Sequence, residues 1–394
     1  MPDSIFYVYF HDKSFVPFHV RELVAELGRR GRKVHVFTAV NPSLGREVFS
    51  SPNVTLHNLP AVSVRFFSEM LFLCVLFPCL VLSALRERPE VFYTRNGASS
   101  MAACLAARLL RRPCFVEVND IWQDKLLFSR PPWAKLLWLR LYHFINYRLG
   151  TMLLPVTWEI ADFCAESYGV PASRLAVVPN GVDAEHFRPL DKAAARRRWG
   201  VPEDARVVLS LGSLFSWAGL ETLVQAAPAI LAAHSETVFV IGSGEEPYLS
   251  QIKALAREAG LSQSFRFPGY ILKKDAPAFI AQADLCAAPF IFRQVRSGVS
   301  SLRVYAYMAC GKPVAGSDIP GLGDVLEKRG AGVSVPMEDA PALARAVIGL
   351  LDDPEKAEDM GRKARIYVME QHSWGAIADR LLRLFHDAQG GKRP

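Results

Sequence analysis

The seven cysteines of the chain contain no C-x-x-C pair, which removes the usual signatures of a structural zinc site and of a dithiol redox centre. Cys74, Cys79, Cys104, Cys114 and Cys286 stand among apolar neighbours, as reduced core thiols do in a reducing compartment. Asp-x-Asp, His-Glu-x-x-His and Gly-x-Ser-x-Gly are also missing, so no metal-binding carboxylate pair, zincin helix or nucleophile elbow is on offer, and no metal is expected. The opening MPDSIFYVYF has neither a basic n-region nor a cleavage site, and secretion is not expected. The longest apolar run, Met70 to Leu85, falls short of the roughly 20 residues that cross a bilayer.

What is present describes a globular chain. Its 394 residues suit two domains of similar size, and 51% hydrophobic against 22% charged residues excludes disorder. A net charge of +7 and a pI near 9.0 favour acidic partners. No recognition helix, zinc-finger spacing or aromatic RNA platform accompanies that charge, so nucleic acid is not an expected partner. Anionic lipid and phosphorylated substrates are.

The apolar periodicity alternates between strand and helix along the whole length. Ile5 to Phe10 reads as a strand, Val20, Leu23, Val24 and Leu27 as the buried stripe of a helix ending at Gly31, and Lys33 to Thr38 as the next strand. Val91 to Tyr93, a helix from Ser100 to Leu110, and Cys114 to Val118 repeat the unit. After residue 200 the alternation restarts with Val207 to Leu211, a helix Leu220 to Ala233 and Val238 to Ile241. It continues through helix Tyr248 to Ala259, strand Ser264 to Phe267, helix Ala276 to Ala283 and strand Asp284 to Ala288. Such alternation predicts parallel sheets with helices on both faces, which bind ligands beyond the carboxyl ends of their strands.

Between the two series lies Val177-Val178-Pro179-Asn180-Gly181-Val182-Asp183. It reads as a buried strand stopped by a tight turn, with Gly181 available for positive φ. The longer string VVPNGVDAEHFRP resembles the inter-domain signature of the retaining family 4 glycosyltransferases. Further blocks in the same order carry the resemblance: the strand, turn and helix of Val207 to Ala226; Val240-Ile241-Gly242-Ser243-Gly244; Phe267-Pro268-Gly269-Tyr270 followed by Ile271; and Tyr305 to Val314. In the first half Glu117-Val118-Asn119-Asp120-Ile121-Trp122 is similar to a segment of polysaccharide-assembling members.

The resemblance implies the α/β GT-B fold, two facing Rossmann-like domains with a cleft between them. Residues 1–180 would form the acceptor-side domain, rejoined by a last helix over 375–394, and residues 181–374 the nucleotide-sugar domain. It implies a glycosyltransferase moving a sugar, with retention and no metal or cofactor, from a nucleoside diphosphate donor to a lipid-linked or polysaccharide acceptor. The expected donor contacts are Ser213, Gly244, Ile271, Arg296, Ser300, Ser301, Leu302 and Arg303. Independently of the family, Ser300 or Ser301 is a good N-cap for a helix from Leu302 to Ala309. Free amides at that helix start, bracketed by Arg293, Arg296 and Arg303, suit a diphosphate. Asp120 and His11 are the catalytic candidates on the acceptor side, with His19 nearby in sequence. Asp120 reads equally well as a helix or turn cap.

The chain departs from the family pattern in three motifs. The usual Arg and Lys of the strand-to-helix turn fall on Ser213 and Ala218, the paired glutamates on Gly298 and Ala306, and a glycine-rich first turn is replaced by His11 to Phe15. Two readings follow: arginines near 293–303 replace the missing cations, or the chain is an inactive homologue serving as partner or scaffold in polysaccharide or glycolipid assembly. Met70 to Leu85 reads as a buried helix before a strand. Pro131 to Tyr142 interleaves Trp and Tyr with Lys and Arg, a mixture suited to a bilayer interface. These segments predict peripheral attachment to the anionic inner face of the plasma membrane from the cytoplasm, with neither one spanning it.

Overall fold

The computed structural model describes residues 4–10, 16–39, 45, 47–60, 68–124, 131–212, 216–243, 247–291 and 300–389. Contacts divide the chain into two units, one running to Asn180 and taking back the C-terminal segment from Trp374, the other built from Gly181 to Ser373.

In the first unit six parallel strands pair in the order β3-β2-β1-β4-β5-β6. They are Ser4–Val8 (β1), Lys33–Thr38 (β2), Val54–Asn58 (β3), Val91–Arg95 (β4), Cys114–Val118 (β5) and Met152–Pro155 (β6). The helices are Phe18–Arg29 (α1), Ser68–Glu87 (α2), Ala98–Leu109 (α3), Trp133–Leu149 (α4) and Trp158–Tyr168 (α5). Strands β1 and β5 are buried along their full length, which is why they read as apolar runs rather than alternating ones. Strand order reverses between β1 and β4, whose carboxyl ends therefore flank the natural ligand position of a doubly wound sheet. The last helix, Trp374–Gln389 (α14 in chain order), buries Trp374, Ile377, Ala378, Leu381 and Phe385 beside α1. Arg30 fixes it with two bonds to Asp379, Nε to Oδ1 and Nη2 to Oδ2, each 3.0 Å.

The second unit repeats the plan as β12-β11-β10-β7-β8-β9. Its strands are Arg206–Leu211 (β7), Thr237–Gly242 (β8), Phe265–Gly269 (β9), Leu285–Ala288 (β10), Val314–Ser317 (β11) and Gly332–Val335 (β12). Helices Lys192–Trp199 (α6), Leu220–Ala233 (α7), Tyr248–Glu258 (α8), Ala276–Ala281 (α9), Leu302–Ala309 (α10), Gly323–Lys328 (α11), Ala340–Asp352 (α12) and Pro354–Gln371 (α13) cover it. One apolar cluster lies on each face of the sheet.

Three local expectations are corrected. Gly181 does not adopt positive φ. Val177-Val178 is not a strand: Ala176 and Val178 donate to Leu153 O and Pro155 O at 3.1 and 2.9 Å as an extended segment beside β6, and β6 itself stops at Pro155. The helix over Met70 to Leu85 is buried on one face only. Phe72, Leu76, Leu80 and Ala84 enter the core, while Met70, Leu71, Val75, Leu82 and Leu85 are exposed. The helix has 20 residues, and Glu69–Glu87 is long and apolar enough to cross a membrane by length and composition.

At the β2–β3 edge His35 and His57 meet through Nδ1 and Nε2 at 3.0 Å, with His57 stacked on Phe37 at 4.3 Å. Burial holds both imidazoles below their usual range; Glu87 opposes the shift at each, whereas Lys33 adds to it at His35 and His35 adds to it at His57. Their folded pKa values lie below the unfolded value of about 6.5, so the unfolded chain takes up protons first on acidification. Stability is therefore intact above about pH 6.5 and falls as pH drops through that value towards the folded pKa. Urea midpoints should decline between about pH 7.5 and 5.5 in the wild type and decline less in His57→Phe. Equal pH dependence in both proteins would rule the pair out as the cause.

Candidate functional site

In the second unit the segments that follow β7 and β10 meet the first turn of α10. Ser301 caps that helix, its Oγ accepting from Val304 N–H at 3.4 Å. Capping fixes the direction of the first turn, and a capped helix start is an anion-binding feature. Arg303, on the same turn, lies against the end of β7. A Cβ placed on Gly212 would stand 2.7 Å from Arg303 Nε, and Gly212 has φ +136°. The φ favours glycine, and a Cβ there would push the guanidinium aside. The guanidinium also lies 5.5 Å from the ring centre of Trp217 and 5.4 Å from that of Phe290, contacts that orient a cation without neutralising it.

The turn that carries Trp217 is itself locked. Gly219 has φ +65°, and any Cβ there would collide with Pro289 O. Ile291 N–H donates to Trp217 O at 2.9 Å. Tyr307 bridges Leu211, its hydroxyl accepting from the amide at 2.7 Å and donating to the carbonyl at 2.8 Å. Tyr248 OH takes the Leu220 amide at 3.0 Å and donates to Glu221 at 2.5 Å. Burial raises the phenols of Tyr307 and Tyr248, and the nearby Arg303 charge partly opposes both shifts.

Of the expected donor contacts, Ser300, Ser301, Leu302 and Arg303 are thus brought to one edge of the sheet. Ile271 is buried at the neighbouring β8–β9 end, where its Cγ1 would lie 3.1 Å from a Cβ on Gly242. Ser213, Gly244 and Arg296 lie outside the described residues, as do His11, Arg293 and Gly298. Ala218 and Ala306 are buried, so neither position offers a charge to solvent.

The first unit gathers a different set at the carboxyl ends of β4 and β5. Glu117 is buried, accepting from Tyr93 OH at 2.6 Å and Asn119 Nδ2 at 2.5 Å. His19 Nε2 stands 3.9 Å away and is hydrogen-bonded to Arg95. Burial alone would raise this carboxyl, but the charges of His19 and Arg95, with the bonds from Tyr93 and Asn119, outweigh it and hold Glu117 below the ordinary carboxylate range. Beside it Asn96 donates to His143 Nδ1 at 2.9 Å and to Tyr147 OH at 3.2 Å, and accepts from Asn146 Nδ2 at 2.9 Å. Trp122 stacks on His143, ring centres 5.6 Å apart, and donates to Tyr168 OH at 2.7 Å. Asp120 is half-buried just past β5; burial raises the phenols of Tyr142 and Tyr147, and the Asp120 charge adds a smaller push to each. Among the described residues no cluster of three or more His, Cys, Asp or Glu is placed to hold a metal.

Sequence reasoning located Asp120 but passed over Arg95, Asn96 and His143. Two signals marked them: Arg95-Asn96 directly ends a strand, and His143, Asn146 and Tyr147 form an i, i+3, i+4 polar stripe on an apolar helix.

Comparison with known proteins adds two family models, "Glycosyltransferase Family 4" over residues 16–186 and "Glycosyl transferases group 1" over residues 191–367. A GDP-mannose-dependent alpha-(1-6)-phosphatidylinositol monomannoside mannosyltransferase of Mycobacterium tuberculosis is 32% identical over 221 residues, 55% of this chain and 57% of that protein. The matched region spans a little over half the length of such curated relatives. Among solved structures, a sucrose-phosphate synthase from Thermosynechococcus elongatus superposes with TM-score 0.75 at 20% identity, over 99% of this chain and 100% of its own. HepE of Anabaena, in complex with UDP, superposes with TM-score 0.74 at 16% identity, over 98% and 100%. These likenesses establish the two-domain GT-B architecture.

Replacing Glu117 with Gln keeps the size but leaves Arg95 without its buried counter-charge. We expect a loss of about 3 kcal/mol in unfolding free energy at neutral pH. Because the folded pKa of Glu117 is depressed, its contribution is present above about pH 4.5 and disappears as pH falls through the folded value. The difference between wild type and variant should therefore shrink below about pH 4, as read by denaturant titration. A difference independent of pH would contradict this account.

Proposed function

Given that the chain belongs to the family 4 glycosyltransferases, we propose that it transfers a sugar from a nucleoside diphosphate donor to a lipid-linked or polysaccharide acceptor at the cytoplasmic face of a membrane. The observation that carries this reading is the position of Arg303. Its guanidinium stands at the carboxyl edge of a parallel sheet, beside a capped helix start, held by Gly212, Trp217 and Phe290. That arrangement supplies a positioned guanidinium and a helix N-terminus where a diphosphate leaving group would sit, and it is suited to stabilise the charge that grows as the sugar–phosphate bond breaks. Such stabilisation needs no metal, and we assign none. Retention follows the family's chemistry.

Acceptor binding is assigned to the first unit, around Asp120 and Trp122. Glu117 is already engaged by Tyr93 and Asn119, and its role is to anchor the segment that presents Asp120. The mycobacterial relative acts on a phosphatidylinositol mannoside, which supports a lipid acceptor. So does the surface of α2 and α4. Besides the exposed face of α2, Trp133, Leu137, Leu141 and Phe144 are open on α4, and Lys135 and Arg140 lie between them. This face would rest in the interfacial layer of an anionic leaflet.

A second reading, a silent homologue acting as a partner or scaffold, is favoured by one observation. Ala218, which falls where relatives place a cation, is fully buried. The two readings separate on donor binding. Calorimetry with UDP, GDP, ADP, CMP and dTDP should find micromolar affinity for one of them. Arg303→Ala should weaken it about 10- to 100-fold, the worth of one or two charge-assisted bonds, and Arg303→Lys should restore part. A folded protein that binds none of the five supports the scaffold.

A further inference from the structure

At the opposite, amino-terminal edge of the first sheet lies a pocket of about 890 Å³, walled by Arg108, Arg111, Arg112 and Arg174 and floored by Cys114 and Met152, where β5 and β6 begin. Among the described lining residues Asp387 supplies the only carboxylate. A second pocket, of about 320 Å³, shares Arg112 and adds Arg88.

One of these arginines has a structural duty. Arg174 donates to the carbonyls of Tyr147, Arg148 and Gly150, closing the end of α4. Arg108, Arg111 and Arg112 are exposed. Arg88, directly after α2, and Arg111, one residue past the Leu110 C-cap of α3, are in the left-handed conformation, with φ +49° and +54°. Elsewhere helices of this chain end on glycine there, as at Gly31, Gly169 and Gly200, since an L side chain in that conformation is strained. Asn53 and Glu338 accept the same strain in turns, but at these two helix ends the residue that accepts it presents a guanidinium. Leu82, Leu85 and Leu109, each more than 60% exposed, stand on the same helix ends.

We propose that this arginine pocket seats the phosphate of an anionic phospholipid headgroup, while Leu82, Leu85 and Leu109 enter the acyl boundary. The proposal rests on the membrane attachment proposed above and adds a headgroup site remote from the sheet edge where Asp120 lies. Charge complementarity selects the occupant: guanidinium groups pair bidentately with phosphate, and flanking apolar side chains distinguish a lipid from a free anion.

Flotation of the full chain with vesicles of phosphatidylcholine alone, and mixed with phosphatidylglycerol, tests it. The wild type should bind the anionic vesicles more tightly, with the excess lost at high salt. The double variant Arg111→Gly, Arg112→Gln should bind them about 25-fold more weakly, roughly fivefold per arginine, and bind neutral vesicles as before. Arg111→Gly alone removes the backbone strain, so it should melt no lower than wild type while still losing lipid affinity. If the arginines merely serve the helix ends, the variants melt lower and bind anionic vesicles like wild type, and the headgroup site is refuted. Calorimetric binding of inorganic phosphate, with vesicle binding unchanged in the variants, refutes it in favour of a soluble ligand. Wild-type protein that binds neither vesicle removes the membrane reading itself, and a Leu82→Ser, Leu85→Ser variant that loses both vesicles isolates that reading from the headgroup site.

Discussion

The arrangement of the second unit's sheet edge depends on the close approach of Arg303 to the backbone at Gly212. The guanidinium lies there because Gly212, the residue that follows β7, has no side chain and a φ of +136°. The contact is held from both ends. Ser301 fixes the helix turn that carries the arginine, and the hydroxyl of Tyr307 pins the last residue of the strand. Trp217 and Phe290 then limit where the cation can swing. Positioning of this kind places the cost of ordering a charge in folding rather than in the reaction, which is what makes electrostatic stabilisation effective in an enzyme.

The first unit solves a different problem, holding several charged groups at the end of a buried sheet. Glu117 remains ionised in the interior because its neighbours include two basic side chains, a phenol and an amide. The same network continues through Asn96 into the polar side of α4, whose other side exposes Trp133, Leu137, Leu141 and Phe144. One helix thus connects an apolar surface to the segment holding Trp122, through the stacking of His143 on that ring.

Much of this architecture was legible in the amino-acid sequence. Periodicity located Lys33–Thr38, Cys114–Val118 and Leu220–Ala233 to the residue, and the serine cap located Leu302–Ala309, because buried parallel strands, amphipathic helices and helix starts write their environment directly into the local sequence. The turn at Gly181 was misread because local chemistry cannot see that Val182 N–H is taken by His372 O, 190 residues later in sequence, at 2.7 Å. The exposed face of α2 was also invisible: a helix that is apolar all round gives no period, and only the packed neighbours reveal which side is covered. Arg303 was identifiable from its place before Val304-Tyr305-Ala306, whereas its partners Gly212, Trp217 and Phe290 come from distant segments and needed the fold.

The measurement that tests the account most directly is transfer itself. Purified protein, vesicles carrying extracted bacterial lipid acceptors and each labelled nucleoside diphosphate sugar in turn would be incubated without added metal, and the lipid product analysed for anomeric configuration. The account predicts that one donor labels the lipid with its configuration kept, and that Arg303→Ala abolishes the label while remaining folded. Undiminished transfer by Arg303→Ala, or no transfer from any donor by well-folded wild type, would contradict it.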